Sequence, residues 1–313
     1  MKRAARRLLS LLVALACLAY FARQIWKSWP EITAISWQAP LLVALLGSIL
    51  LQAACSLLDA WSWGFLLRAL KVRAATREAM GVFLVSQFAK YLPGNVGQHV
   101  GRIALTSQLG WQPGRVIVSI LVENGFAVGA GGLVAGAGIS FAGAGALGAS
   151  RLIVAAAVLV LGWVSGVVVL KALLARPPAR VARWLSLVEP VEISAATLTP
   201  YLGVHLLSYA GGFISFTAIV SGLFGHFPAE SWKIPAAVSA SWLAGYLVPG
   251  APAGLGVREA TLTALLGSSL GMGVVVSAAL VWRFSALLGD ALVLLVGLGL
   301  RRGGAARARS ATA

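Results

Sequence analysis

The chain has 313 residues, is 59% hydrophobic and 11% charged, and has a mean hydropathy of +0.89. A soluble domain carries roughly 25% charged residues, so this composition excludes a soluble globular domain, a disordered tail and a nucleic-acid module. The excess of 25 Lys and Arg over 9 Asp and Glu reads instead as membrane topology, because basic residues collect in cytoplasmic loops.

A bilayer core of about 30 Å needs about 20 helical residues, and six full spans are expected on that basis. They run over residues 8–22, 41–63, 115–133, 152–173, 199–224 and 273–300. The first is preceded by Lys2, Arg3, Arg6 and Arg7, a pattern shared with signal peptides; the repeat described below favours keeping it as a span. Two further apolar stretches, 79–109 and 234–270, are interrupted at Tyr91-Leu92-Pro93-Gly94 and at Val248-Pro249-Gly250. Proline and glycine there stop a helix and leave two half-length arms. Such breaks are tolerated at membrane depth only when buried in protein or facing a watery cavity, so both read as re-entrant hairpins. The Gly/Ala-rich tract 125–148 reads as close helix packing through small residues, with a third re-entrant piece as the alternative. Cys17 and Cys55 lie in apolar runs and read as small hydrophobes, with no disulfide framework, metal site or cofactor implied. Trp26, Trp29, Trp37 and Trp232 read as interfacial anchors.

Sixteen of the 25 basic residues fall before span one, after span two, at and after span four, and after span six; the other side carries Arg23, Lys27, Arg151 and Lys233. Both termini are therefore expected in the cytoplasm, with residues 301–313 as a basic cytoplasmic tail. The two broken segments also resemble each other. Pro93 and Pro249 are 156 residues apart, and each is followed nine residues later by an arginine, Arg102 or Arg258. The same shift lays span two on span five and span three on the start of span six. The expected fold is all-α and polytopic, about eight hydrophobic segments in a single membrane domain. Residues 1–156 and 157–300 would form an inverted 3+3 repeat, an arrangement that places binding sites near the midplane.

Ionisable residues at the bilayer centre cost about 2.5–3.5 kcal/mol each on insertion scales, so those retained here are the site candidates. Glu123 lies midway along span three; Arg283 and Asp290 lie seven residues apart on one face of span six; Asp59 lies near the inner end of span two. Glu123 and Arg283 are expected at similar depth and paired, either to fix helix register or to line a polar path. Lys90 flanks the first hairpin tip, and Arg258-Glu259 follow the second. Arg102 and Arg258 are the leading substrate-binding candidates. A half-helix N-terminus offers free N–H groups, and Gly94, Gly97, Gly250 and Gly254 would let a ligand approach the backbone. Arginine adds a planar fork suited to phosphate. The alternative is that each arginine caps carbonyls or pairs with Glu259. His205 reads as a core histidine, and His99 as a weaker ligand candidate.

At these residues the chain resembles the membrane, flippase-like domain of the lysylphosphatidylglycerol synthases. The resemblance lies in Lys90-Tyr91-Leu92-Pro93-Gly94 with Gly97 and Arg102, in Pro249-Gly250 with Gly254-Leu255-Gly256-Val257-Arg258-Glu259, and in Val122-Glu123 and Trp282-Arg283. Asn95, Gln98-His99, Ala251-Pro252-Ala253 and Asn124 depart from the family pattern. The full-length synthases fuse this domain to a soluble aminoacyl-transferase domain, whereas here a short basic tail follows Leu300. The resemblance thus implies a stand-alone translocating half, similar to members associated with hopanoid or other isoprenoid lipids. The expected activity is movement of a phospholipid or isoprenoid-type lipid between leaflets of the bacterial inner membrane through a midplane cavity. Glu123, Arg283 and Asp290 would line the path. Two other readings stay open. One is a membrane-embedded lipid-modifying enzyme, for which no catalytic constellation is visible; the other is a small-solute or ion transporter. Membrane lipids are the expected partners, anionic or isoprenoid, and no nucleic acid. Lipid-biosynthesis enzymes and a second copy of the chain are the protein partners left open.

Overall fold

The computed structural model describes residues 25–33, 35–91, 96–143, 195–248 and 251–310, with Ala19, Ala22 and Arg23 as isolated positions. Most of expected span one and all of span four lie outside the described residues, as do Pro93, Gly94, Pro249 and Gly250. The chain is all-α where described: α1 (Trp29–Thr33), α2 (Ala39–Ala69), α3 (Thr76–Gln87), α4 (Gly97–Gln108), α5 (Pro113–Gly143), α6 (Ala195–Phe224), α7 (Ile234–Leu247), α8 (Val257–Leu270) and α9 (Met272–Ser310). Short 3-10 turns cover Phe88–Tyr91, Ala229–Lys233 and Pro252–Gly254.

Among the described residues, four helices are long and apolar enough to cross a membrane, over Ala39–Ala69, Pro113–Gly138, Leu198–Phe224 and Met272–Arg302. They coincide with expected spans two, three, five and six. The outward faces carry Leu46, Leu50, Leu121, Leu207, Ile214 and Leu295, all exposed. That is the arrangement expected where lipid rather than water is the solvent. Trp26, Trp29 and Trp37 are exposed too.

Expected span three is longer than its sequence reading. α5 continues to Gly143 as one helix, so the Gly/Ala tract is helical to that residue rather than a separate re-entrant piece. Its small residues are contact points. A Cβ on Gly131 would lie 2.2 Å from the Tyr209 hydroxyl oxygen, and one on Gly138 would lie 2.4 Å from Ala236 Cβ. The neighbouring helices approach through these gaps.

Both broken segments fold back on themselves. At the mouth of the first, Arg68 at the end of α2 donates to Thr76 Oγ1 at the start of α3 (2.5 Å). Arg115 at the start of α5 donates to the Leu70 and Lys71 carbonyls (3.1 and 2.8 Å). Those bonds satisfy carbonyls beyond the last turn of α2, which would otherwise be unpaired. Trp63, Phe83 and Trp111 pack together in the same region. At the mouth of the second hairpin, Lys233 before α7 donates to Ser269 near the end of α8 (3.0 Å). This end shares an apolar cluster with Leu41 at the start of α2, Phe216, Ile234 and Val275. The two mouths therefore sit at opposite ends of α2, and the two tips meet beside the middle of α9, where Lys90 reaches Asp290 and Ala253 reaches Arg283.

Candidate functional site

Between the two apolar clusters lies a cavity of about 250 Å³ whose lining carries every charged residue singled out as a site candidate from the sequence: Asp59, Lys90, Arg102, Glu123, Arg258, Glu259, Arg283 and Asp290. Each hairpin delivers its charges to the middle of the bundle, and each long helix facing a hairpin answers with an opposite charge.

Arg102 is completely buried on α4. Its guanidinium bonds the Glu123 carboxylate on α5 and lies 4.8 Å from the Trp63 ring and 4.2 Å from the Phe83 ring. Cation–π contact with two desolvated rings adds to the ion pair. On the other half, Glu259 on α8 accepts from the Gly256 amide (2.8 Å) and stands 3.8 Å from Arg283 on α9. Arg283 also donates to the Ala253 carbonyl (3.1 Å). Glu123 and Arg283, expected to pair directly or through water, do not pair directly: each has its ion partner within its own half. The reason is connectivity. Four residues join α4 to α5 and Gly271 alone joins α8 to α9, and connections this short force the joined helices to be antiparallel neighbours. The two pairs have swapped signs, arginine on the hairpin in one half and glutamate in the other.

A third pair closes the tip of the first hairpin. Lys90 lies 2.7 Å from Asp290 and Tyr91 donates to the same carboxylate at 2.5 Å, so the tip is fixed to α9. Asp290 is almost wholly buried. Arg283 and Asp290 do share a face of α9, and both line the cavity.

Arg258 differs from the other cations. Among the described residues it has no carboxylate within ion-pair distance, its Nε is buried without a hydrogen-bond acceptor, and its guanidinium lies 5.8 Å from the Trp242 ring. Glycine makes the seat for its side chain. A Cβ at Gly245 would fall 2.5 Å from Arg258 Cγ, and one at Gly254 would fall 2.8 Å from Nε. Gly254 also has φ of +71°, a conformation that costs glycine little. Its place is thus beneath the arginine. Gly97 opens α4 but is not among the lining residues.

The chain matches one family model, the lysylphosphatidylglycerol synthase TM region, over residues 7–297. The chain belongs to that family. A comparison with curated proteins returned no match. For a member of this transmembrane family, the cavity is notable for how much of its polar lining the sequence motifs do not contain. Asp59 lines it, accepting from Ser208 at 2.9 Å. The sequence reading put Asp59 near the inner end of its span, but α2 continues ten residues further, to Ala69, and leaves Asp59 well inside the helix. His205 is buried against Tyr201, as expected of a core histidine, yet it also lines the cavity. Its Nε2 lies 3.2 Å from the Glu123 carbonyl oxygen and its Nδ1 4.0 Å from Asp59. Asn124 accepts from Tyr246 at 2.6 Å, and Tyr246 stacks on Trp242 with ring centroids 5.0 Å apart. His99 lines the cavity beside Gln98. Asp59 carried a readable signal, an ionisable residue inside an apolar span; the aromatic wall of Tyr209, Trp242 and Tyr246 carried none. Among the described residues, no group of three His, Cys, Asp or Glu side chains converges to hold a metal ion.

Proposed function

We propose that this protein is a lipid transporter of the bacterial inner membrane that carries a lipid headgroup between leaflets through the central cavity, both termini being cytoplasmic. The observation that carries this reading is Arg258, a cation on the cavity wall with no carboxylate within ion-pair distance among the described residues. A buried guanidinium without an ion-pair partner is costly, and a headgroup phosphate or other anion supplies one with matching fork geometry. Arg102, the other candidate, is engaged by Glu123 and serves to hold the first hairpin against α5.

The cavity volume of about 250 Å³ falls below the roughly 300–1,000 Å³ of pockets that enclose a whole drug-sized ligand. It suits a headgroup whose chains stay in the bilayer. The two halves act as inverted repeats, each sending one hairpin to the midplane, and rocking of one half against the other exposes the cavity to each leaflet in turn. The Lys90–Asp290 and Arg283–Ala253 contacts tie the tips to α9 and have to rearrange in that motion. Membership of a family named for a lipid synthase's membrane region supports a lipid as cargo, phospholipid or isoprenoid-type. The test is the lipid that co-purifies. Mass spectrometry of the purified wild type should find a bound lipid that Arg258→Gln loses; identical lipid content in the two proteins would count against the reading.

A further inference from the structure

We infer that the ligand of this cavity is a lipid whose headgroup is a zwitterion, one anionic group and one primary ammonium, rather than a net anion. This deepens the transport reading above and rests on it. The charges lining the cavity are equal in number, four of each sign. Three cations and three anions are matched among themselves, as Lys90 with Asp290, Arg102 with Glu123 and Arg283 with Glu259. What remains is one of each: Arg258 and Asp59. Among the described residues Asp59 has no lysine or arginine within ion-pair distance. Its Oδ1 accepts from Ser208 at 2.9 Å, His205 Nδ1 is 4.0 Å away, and its side chain keeps 28% of its surface accessible. A cavity built for a simple phosphate ester would carry a surplus of positive charge; this one carries an unmatched carboxylate as well.

The two unmatched groups belong to one continuous wall. Ser208, which bonds Asp59, is followed in the chain by Tyr209, whose ring packs edge-on against Trp242 at 5.5 Å; Trp242 in turn lies under the Arg258 guanidinium. Tyr209 is pinned by its hydroxyl, which donates to the Ala127 carbonyl at 3.0 Å. An ammonium held at Asp59 would have aromatic faces beside it, which attract cations, and its N–H donors would meet the carboxylate and Ser208 Oγ. The anion would lie at Arg258, and the bound headgroup would leave the cavity with no net charge, the state that costs least in a low-dielectric setting.

The test is a competition. Detergent-purified full-length protein is given equimolar dioleoyl phosphatidylethanolamine and dioleoyl phosphatidylglycerol, and the retained lipid is read by native mass spectrometry. The wild type should retain the ethanolamine lipid by about tenfold or more, the scale of one hydrogen-bonded charge contact. Asp59→Asn should bring the ratio to about one, Asp59→Glu should keep the preference, and Arg258→Gln should weaken both lipids. Equal retention by the wild type, or a preference unchanged in Asp59→Asn, overturns the inference. Retention of soluble phosphoethanolamine in place of lipid overturns the lipid assignment. The same lipids in vesicles separate this inference from the transport reading. Preferential binding without leaflet exchange upholds the headgroup class and removes transport; equal exchange of both lipids does the reverse.

Discussion

Glu123→Leu removes, among the described residues, the one carboxylate bonded to Arg102, a guanidinium that has no exposed surface. Arg102 is fully buried and Glu123 only 12% exposed, so solvent cannot take over the lost interaction. Breaking one side of such a pair costs about 3–5 kcal/mol. The Trp63 and Phe83 rings remain against the arginine, which places the expected loss toward the lower half of that range. At about 2 °C per kcal/mol for a chain of this size, the variant should melt roughly 6–8 °C below the wild type, followed as the monodisperse peak surviving heating in detergent. Replacing both partners, as Arg102→Met with Glu123→Leu, removes the stranded charge and keeps the volume, so most of the loss should be recovered. A single variant as stable as the wild type, or a double variant no more stable than the single, would refute a desolvated intra-half ion pair. The same pair of measurements on Glu259→Leu and Arg283→Met applies less sharply, because Arg283 also bonds the Ala253 carbonyl.

Other expectations follow from the packing. Gly245→Ala puts a Cβ 2.5 Å from Arg258 Cγ, so it should displace the arginine and reproduce the lipid loss of Arg258→Gln while the size-exclusion profile stays that of the wild type; normal lipid retention would contradict the seat. Gly138→Leu, overpacked against Ala236, should cost about 1–3 kcal/mol in detergent melts. Gly129→Ala and Gly132→Ala face open space in the same helix and should be neutral or gain up to about 1 kcal/mol; equal losses at all three would refute the assigned faces of α5. A double-mutant cycle on Lys90→Gln and Asp290→Asn should give a coupling of about 1 kcal/mol or more, and additive melts would remove the tie between the first hairpin and α9.

Much of the architecture was legible because its signals are large. A run of about 20 apolar residues has few fates, and α2, α5, α6 and α9 contain four of the six spans read from composition. Proline and glycine in the sequence marked where helices should stop, and α3, α4, α7 and α8 are the described arms on either side of those breaks. The site was legible for a related reason: a charge inside an apolar span is expensive enough to mark itself, and Lys90, Arg102, Glu123, Arg258, Glu259, Arg283 and Asp290 all reach one cavity. Partnership was not legible. Glu123 shifted by 156 residues falls one helical turn from Arg283, but which carboxylate meets which cation depends on helix rotation and on the short connections that press α4 on α5 and α8 on α9. The length of α2 was under-read at Asp59, because the apolar run fades before Arg68 while the helix itself continues to Ala69. The glycines carried a correct location and an incomplete reason, since Gly245 and Gly254 shape the seat of an arginine whose neighbours no spacing rule reveals.

Leaflet exchange tests the central claim most directly. Protein reconstituted in vesicles with acyl-labelled fluorescent phosphatidylethanolamine is treated with dithionite, which bleaches label in the outer leaflet. Wild-type vesicles should lose nearly all fluorescence, while protein-free and Arg258→Gln vesicles should retain the inner-leaflet label. Wild-type vesicles that retain it as protein-free vesicles do, or Arg258→Gln vesicles that bleach as fast as the wild type, would contradict a headgroup path through this cavity.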